Sequence, residues 1–224
     1  MSLQLLKSHL FILIGGSGVG KNAAEKQIRQ KFRSKRPIST TSRERRKEAR
    51  EGETEFVEER EGIDYYYVDV PTFEKRAAAG YFCEFARQKE SPFHYYGKSW
   101  DEMRRVMDEP DLYVFDVNID GFVALREKFP DQVTGIFLEP AGDDMDTMIG
   151  TLERRLRTKR IGMSDEVILN RMITAQREIE WAHNPLSRIE HIVKTDDLHE
   201  LFYQVESIIG EVIGLDKLYA RTPD

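Results

Sequence analysis

Two stretches of this chain carry residue types suited to handling phosphate. Gly15-Gly16-Ser17-Gly18-Val19-Gly20-Lys21-Asn22 meets the pattern Gly-x4-Gly-Lys. Glycines at these positions let backbone N–H groups turn inward on an anion, and the N-terminus of a helix behind them favours negative charge. Lys21 would then reach the β- and γ-phosphates of a nucleoside triphosphate. The pattern usually ends in Ser or Thr, whose hydroxyl ligates Mg²⁺. Asn22 stands there instead, and its amide oxygen is another neutral hard ligand. The second stretch, Arg154-Arg155-Leu156-Arg157-Thr158-Lys159-Arg160, is a basic run in an acidic protein, with Arg171 beyond it. Positive charge of this kind stabilises a transferring phosphoryl group. The plainer alternative is a set of solvated arginines paired with Glu153 or Glu166 at helical spacing. Asp116 closes an apolar run, where a carboxylate can hold a magnesium-bound water. Asp120 fits the role of a helix cap better than Asp116 does.

These groups need a scaffold, and the hydrophobic pattern supplies one. Leu10 to Ile14 is a continuous apolar run, as expected of a strand buried on both faces. The glycines follow it directly, and Lys21 to Arg29 is a good helix former. Further strands are expected at Tyr65–Val70, Leu112–Val117, Val133–Leu138 and Ile192–Val193. Helices are expected from Pro71, with Pro71 or Thr72 as the start signal, and over roughly Trp100–Met107, Gly121–Lys128, Asp146–Thr158, Asp165–His183 and Leu198–Ile213. Strands alternating with helices imply crossover connections and a mostly parallel sheet. Arg43 to Glu61 is almost all charge with no apolar period, and is expected to be a mobile loop.

Composition narrows the class. A chain of 224 residues is one domain, with room for a core that needs no disulfides or metals. The hydrophobic fraction of 40% and charged fraction of 33% lie outside a disordered composition. A net charge of −6 argues against a dedicated nucleic-acid or anionic-membrane binder, so any basic function is local. The single cysteine, Cys83, excludes an internal disulfide and fits a reducing compartment. Leu10–Ile14 is too short to span a bilayer or to serve as a signal-peptide core. The expectation is a cytoplasmic protein.

Several ordered blocks resemble the guanylate kinase family over about Leu10 to Ile213. Beside the glycine loop, Ser39-Thr40-Thr41-Ser42-Arg43 looks like its Ser-x-Thr-Thr-Arg. Arg50-Glu51-Gly52-Glu53 is similar to its Arg-x-Gly-Glu, and Gly62-Ile63-Asp64-Tyr65 to its Gly-x-Asp-Tyr. Phe82-Cys83-Glu84-Phe85 resembles Phe-x-Glu-Trp, and Tyr95-Tyr96-Gly97 resembles Tyr-Tyr-Gly. Phe115 to Gly121 is similar to Leu-Asp-Ile-Asp-x-Gln-Gly, and Thr195-Asp196-Asp197-Leu198 to Asn-Asp-Asp-Leu. The resemblance implies a three-layer α/β P-loop kinase fold with a parallel core sheet. It divides the single domain into a core (1–35, 100–144 and 173–224), a small acceptor-binding part (36–99) and a helical lid (145–172). It also implies transfer of the γ-phosphate of MgATP to GMP or dGMP, with closure excluding water.

Roles follow by resemblance, residue by residue. The loop Gly15 to Asn22 holds ATP, and Asn22 and Asp116 attend the metal. Lys21, Arg155, Arg160 and Arg171 supply charge to the transferring group, although Lys159 is an alternative to Arg160. Glu84 accepts from guanine N1–H and the 2-amino group, and Ser39 donates to O6. Adenine would set a lone pair against Glu84 and be rejected. Arg43, with Tyr65 and Tyr96, holds the acceptor phosphate, the arginine by its bidentate fork. The second phosphate arginine is Arg46 by counting three residues on, or Arg50 by its Gly52-Glu53; the second match is slightly favoured. Either requires extra residues before Tyr65.

Four residues depart from the family pattern. Asn22 replaces the hydroxyl, Lys98 stands near the guanine where a Ser or Thr is usual, Asn118 replaces an acid of the acceptor site, and Thr195 replaces an Asn near the adenine. These departures keep two other readings open: a kinase of the same fold with a different acceptor, and a catalytically silent binding module.

Overall fold

A computed structural model describes residues 7–49, 56–87, 94–159 and 163–214. In chain order the elements are β1 (His9–Ile14), α1 (Lys21–Phe32), β2 (Thr40–Thr41), β3 (Lys47–Ala49), β4 (Phe56–Glu58), β5 (Tyr66–Tyr67), α2 (Val70–Ala78), β6 (Phe82–Arg87), β7 (Tyr95–Ser99), α3 (Trp100–Asp108), β8 (Leu112–Asp116), α4 (Ile119–Lys128), β9 (Val133–Glu139), α5 (Met145–Lys159), α6 (Asp165–Ala182), β10 (His191–Lys194) and α7 (Leu198–Ile213). They form two compact units, 36–109 and the remainder, and α3 falls with the smaller.

In the larger unit the sheet order is β10-β9-β1-β8, and every pairing is parallel. The apolar strands expected from sequence are buried on both faces, as a sheet covered by helices requires. Phe11, Leu13, Val114, Ile136 and Leu138 face a core shared with α1, α5, α6 and α7. The opposite face meets α4, whose Phe122 lies against Gly135. A Cβ at Gly135 would come within 2.5 Å of the Phe122 ring and of Ile189, so glycine there lets the helix dock. The result is three layers: helices, sheet, helices. The glycine loop leaves the C-terminal end of the central strand β1, where such sheets bind ligands.

The smaller unit holds a second sheet, β5-β2-β7-β6, of mixed direction. Helix α2 covers it through Phe73, stacked on Phe82 (centroids 4.4 Å) and Tyr95 (5.1 Å). Three local expectations change here. The strand expected over Tyr65–Val70 is regular only at Tyr66–Tyr67, and α2 already begins at Val70. The cap of α2 is Asp69, whose carboxylate accepts from the Thr72 N–H at 2.8 Å, so the start signal lies just before Pro71. The charged stretch after Arg43 is not wholly a loop. Lys47–Ala49 and Phe56–Glu58 pair as an antiparallel ribbon, closed at its base by reciprocal contacts of Arg46 and Glu59. Backbone pairing can form between strands of any residue type, so such a ribbon needs no apolar alternation in the sequence.

Candidate active site

A cavity of about 380 Å³ opens at the end of β1. The glycine loop forms its floor, with Gly16, Ser17, Gly18, Gly20, Lys21 and Asn22 lining it beside Asp116 and Arg155. Backbone geometry explains the glycines. Gly15 has φ +138°, and a Cβ there would lie 2.2 Å from the Leu138 carbonyl oxygen. Helix α1 starts at Lys21 after Gly20 in the left-handed region, with no side-chain cap. Its first N–H groups therefore remain available to an anion at the helix N-terminus.

Lys21 folds back on the loop, donating to the carbonyl of Gly15 and, at 3.2 Å, to that of Gly16. Burial lowers its ammonium pKa, and the negative charges of Asp116 and Glu178 oppose that shift. Glu178, two helical turns after Arg171 on α6, is the residue the sequence reading missed. Burial raises its carboxyl, and the Lys21 charge pulls it back. The seven-residue interval to Arg171 is the signal that marks it, because it puts both on one helix face. Val19 is part of the expected ATP-binding loop but sends its side chain into the core; only its backbone belongs to the loop surface. Asn22 and Asp116 both line the cavity beside Lys21 and offer neutral and anionic oxygens, a donor set that fits Mg²⁺.

The expected lid arginines divide. Arg155 lines the cavity and donates to the Asp196 carboxylate and carbonyl, each at 3.0 Å. Arg171 donates to the Ser17 hydroxyl at 2.7 Å, tying α6 to the glycine loop. Arg157 takes the plainer role, paired with Glu153 and Asp165. Arg160 lies outside the described residues. Thr195 turns its hydroxyl to the Asp197 N–H at 3.1 Å, and Asp197 caps α7. Asn118 accepts from the Gly121 N–H at 2.8 Å and is the cap of α4 that was expected of Asp120.

In the smaller unit, sheet register brings the acceptor candidates onto one face. Lys98 on β7 pairs with Glu84 on β6, and extending the β2–β7 register by one residue sets Ser39 opposite Lys98. Directly opposed residues share a face, and so does Tyr96, two residues from Lys98. A bulge between Phe82 and Glu84 aims Glu84 into this row. The Lys98 ammonium donates to Glu84 Oε1 at 3.1 Å, with both side chains about nine-tenths buried. Cys83 beside them is inert: burial pushes its thiol up to about 12.

The other end of the row differs from expectation. Arg43 is buried, and its fork is bidentate to Glu59 at 2.5 Å on both arms. Its Nε donates to the Tyr96 hydroxyl at 2.9 Å and Nη1 also donates to the Glu44 carbonyl at 2.7 Å, so four of its five N–H groups are engaged. Arg43 therefore has one N–H left for a further acceptor, where an open fork was expected. Tyr65 lies under the guanidinium at 5.0 Å and edge-on to Tyr96. The arginine and further donors from the Tyr67 hydroxyl (2.9 Å) and the Arg46 N–H (2.8 Å) hold the Glu59 carboxyl down to about 2. Nothing local in the charged run distinguishes Glu59 from its neighbours; only its pairing with Arg43, sixteen residues away, does. Arg46 is exposed at the base of the ribbon, while Arg50 lies outside the described residues.

The chain has relatives. A family model described as guanylate kinase matches residues 7–212. The chain is 31% identical over 201 residues to a guanylate kinase of Myxococcus xanthus, covering 89% of this chain and 85% of that one. It is 29% identical over 195 residues to one from Thermus thermophilus, covering 87% and 77%. Among solved structures, guanylate kinase from Anaplasma phagocytophilum superposes with a TM-score of 0.56 at 20% identity over 97% of each chain, which shows the shared fold.

Proposed function

The chain belongs to the guanylate kinase family, and from that premise we propose that it binds MgATP at the glycine-loop cavity and GMP or dGMP on the Ser39–Glu84 face. It is an ATP-dependent nucleoside-monophosphate kinase with the P-loop kinase fold, and it moves the γ-phosphate of ATP to GMP. The observation that best supports the assignment of its residues is the cavity that gathers Lys21, Asn22, Asp116 and Arg155 at the end of the central strand.

Phosphoryl transfer asks the protein for alignment and positive charge more than for covalent chemistry. The loop N–H groups and the start of α1 cradle the phosphates. On triphosphate binding, Lys21 exchanges its carbonyl partners for β- and γ-phosphate oxygens. Arg155 and Arg171 add charge as it develops on the transferring group. Asn22 and Asp116 would hold Mg²⁺, directly or through water, and the ion would supply charge neutralisation at the phosphates. Glu84 accepts from the acceptor base, Ser39 donates to it, and Tyr96, Tyr65, Arg46 and the remaining arm of Arg43 receive the acceptor phosphate. The extra residues before Tyr65 leave from Arg46 and return at Glu59, which favours Arg46 over Arg50 for that role.

The test is ADP formation with MgATP and each of GMP, dGMP, AMP, CMP and UMP. Turnover with GMP and dGMP supports the reading. Turnover confined to another acceptor overturns the substrate, and absence of turnover in a protein whose Tm still rises with ATP overturns the kinase reading.

A further inference from the structure

We propose that Lys98 sets the base selectivity of the acceptor site, making it a reader of 6-oxopurines in general (IMP as well as GMP) and not of guanine alone. The inference rests on the acceptor reading of the Ser39–Glu84 face. It is carried by one juxtaposition: Lys98, buried, stands in the ladder between Ser39 and Glu84, and its ammonium is paired with the Glu84 carboxylate.

A base that gives its N1–H to Glu84 and directs O6 towards Ser39 spans the strand that carries Lys98, because Lys98 is the cross-strand neighbour of both. O6 then meets a cation as well as a hydroxyl, and a charge-assisted hydrogen bond is the stronger kind. A 6-amino group would bring its own N–H donors against the same ammonium, so adenine is rejected twice, by Glu84 and by Lys98.

The same ion pair weakens the demand for the 2-amino group. Hypoxanthine shares O6 and N1–H with guanine and lacks only that amino group. Where a carboxylate depends on the base for its donors, the missing group leaves a desolvated oxygen unpaired, and discrimination is large. Here Lys98 already donates to Glu84 Oε1 from within the protein. The carboxylate keeps a partner when the 2-amino group is absent, and the penalty against IMP falls. A Ser or Thr at this position has no charge with which to do so.

The experiment compares kcat/KM for GMP, IMP, AMP and the monophosphate of 2-aminopurine riboside in the wild type, Lys98→Ser and Lys98→Arg. In the wild type, IMP stays within about tenfold of GMP, and IMP exceeds the 2-aminopurine nucleotide, which has the amino group but no 6-oxo group, by at least about tenfold. Lys98→Ser raises the GMP-to-IMP ratio by at least about tenfold, and Lys98→Arg keeps it near the wild-type value. An unchanged ratio in Lys98→Ser, or a wild type that prefers the 2-aminopurine nucleotide to IMP, overturns the proposal. A wild type in which IMP falls far more than about tenfold below GMP overturns the proposal too, so the test stands even if Lys98→Ser does not fold. Calorimetric binding of the same four nucleotides separates the two levels of inference. Without turnover the kinase reading fails, while the GMP-to-IMP affinity ratio still judges Lys98.

Discussion

The two candidate sites are built in opposite ways. The glycine-loop cavity is made mainly of backbone contiguous in sequence, between a buried strand and a helix start. Its one central side chain, Lys21, rests on loop carbonyls. The acceptor face is made of side chains from β6, β7 and the segments flanking β2, and its charges are already paired: Glu84 with Lys98, Arg43 with Glu59. A backbone cradle tolerates changes around it, because N–H groups come with every residue type. A side-chain face depends on partners, so a single substitution there adds or removes a partner directly, as Lys98 does for Glu84.

The sharpest test of this contrast is Lys21→Ala. It should lower kcat by about 10³-fold or more, as for other cations at a transferring phosphoryl group, with the circular dichroism spectrum preserved. Retained turnover would show that the loop backbone alone carries the donor site. Next in size is Glu59→Gln, which strands Arg43 in a buried position. Removing one partner of a buried pair costs about 3–5 kcal/mol, measurable by urea unfolding, and an unchanged midpoint would reduce the pair to decoration. The pair also predicts a pH dependence. Folding depresses the Glu59 carboxyl from 4.5 to about 2, so its contribution is fully present above pH 4.5 and is lost as the pH falls towards 2. Stability curves of wild type and Glu59→Gln should converge over that window.

Glu84→Ala follows, with kcat/KM for GMP falling by about 10²-fold while the KM for ATP moves by less than about threefold. Equal losses for both nucleotides would remove Glu84 from base recognition. The smallest effect is expected of Asn118→Ala, which deletes the α4 cap. That should cost about 1 kcal/mol, a Tm drop of about 2–4 °C in a chain of this length, and Asn118→Asp should restore it.

What could be read in advance follows the same division. The buried strands, the helices between them and the loop Gly15 to Asn22 were all visible, because apolar runs and glycine spacing are local and their geometry is nearly obligatory. The acceptor candidates Ser39, Arg43, Glu84 and Tyr96 were proposed only by resemblance, since no local period marks a polar residue that works across a sheet. The caps at Asp69 and Asn118 were missed because a neighbouring Thr or Asp satisfied the same pattern. Glu178 lay hidden as one acid among several on a long helix.

By itself, then, the sequence determined the parallel core, the phosphate loop and the charge available to it, through hydrophobic period and backbone permissiveness. Only the tertiary structure decided which charges meet. It set Lys98 against Glu84 by strand register and a bulge, and it closed the Arg43 fork on Glu59 through a ribbon with no apolar signature. Pairings of this kind depend on strands remote in the chain, and their energies arise from burial that exists only once those strands have come together.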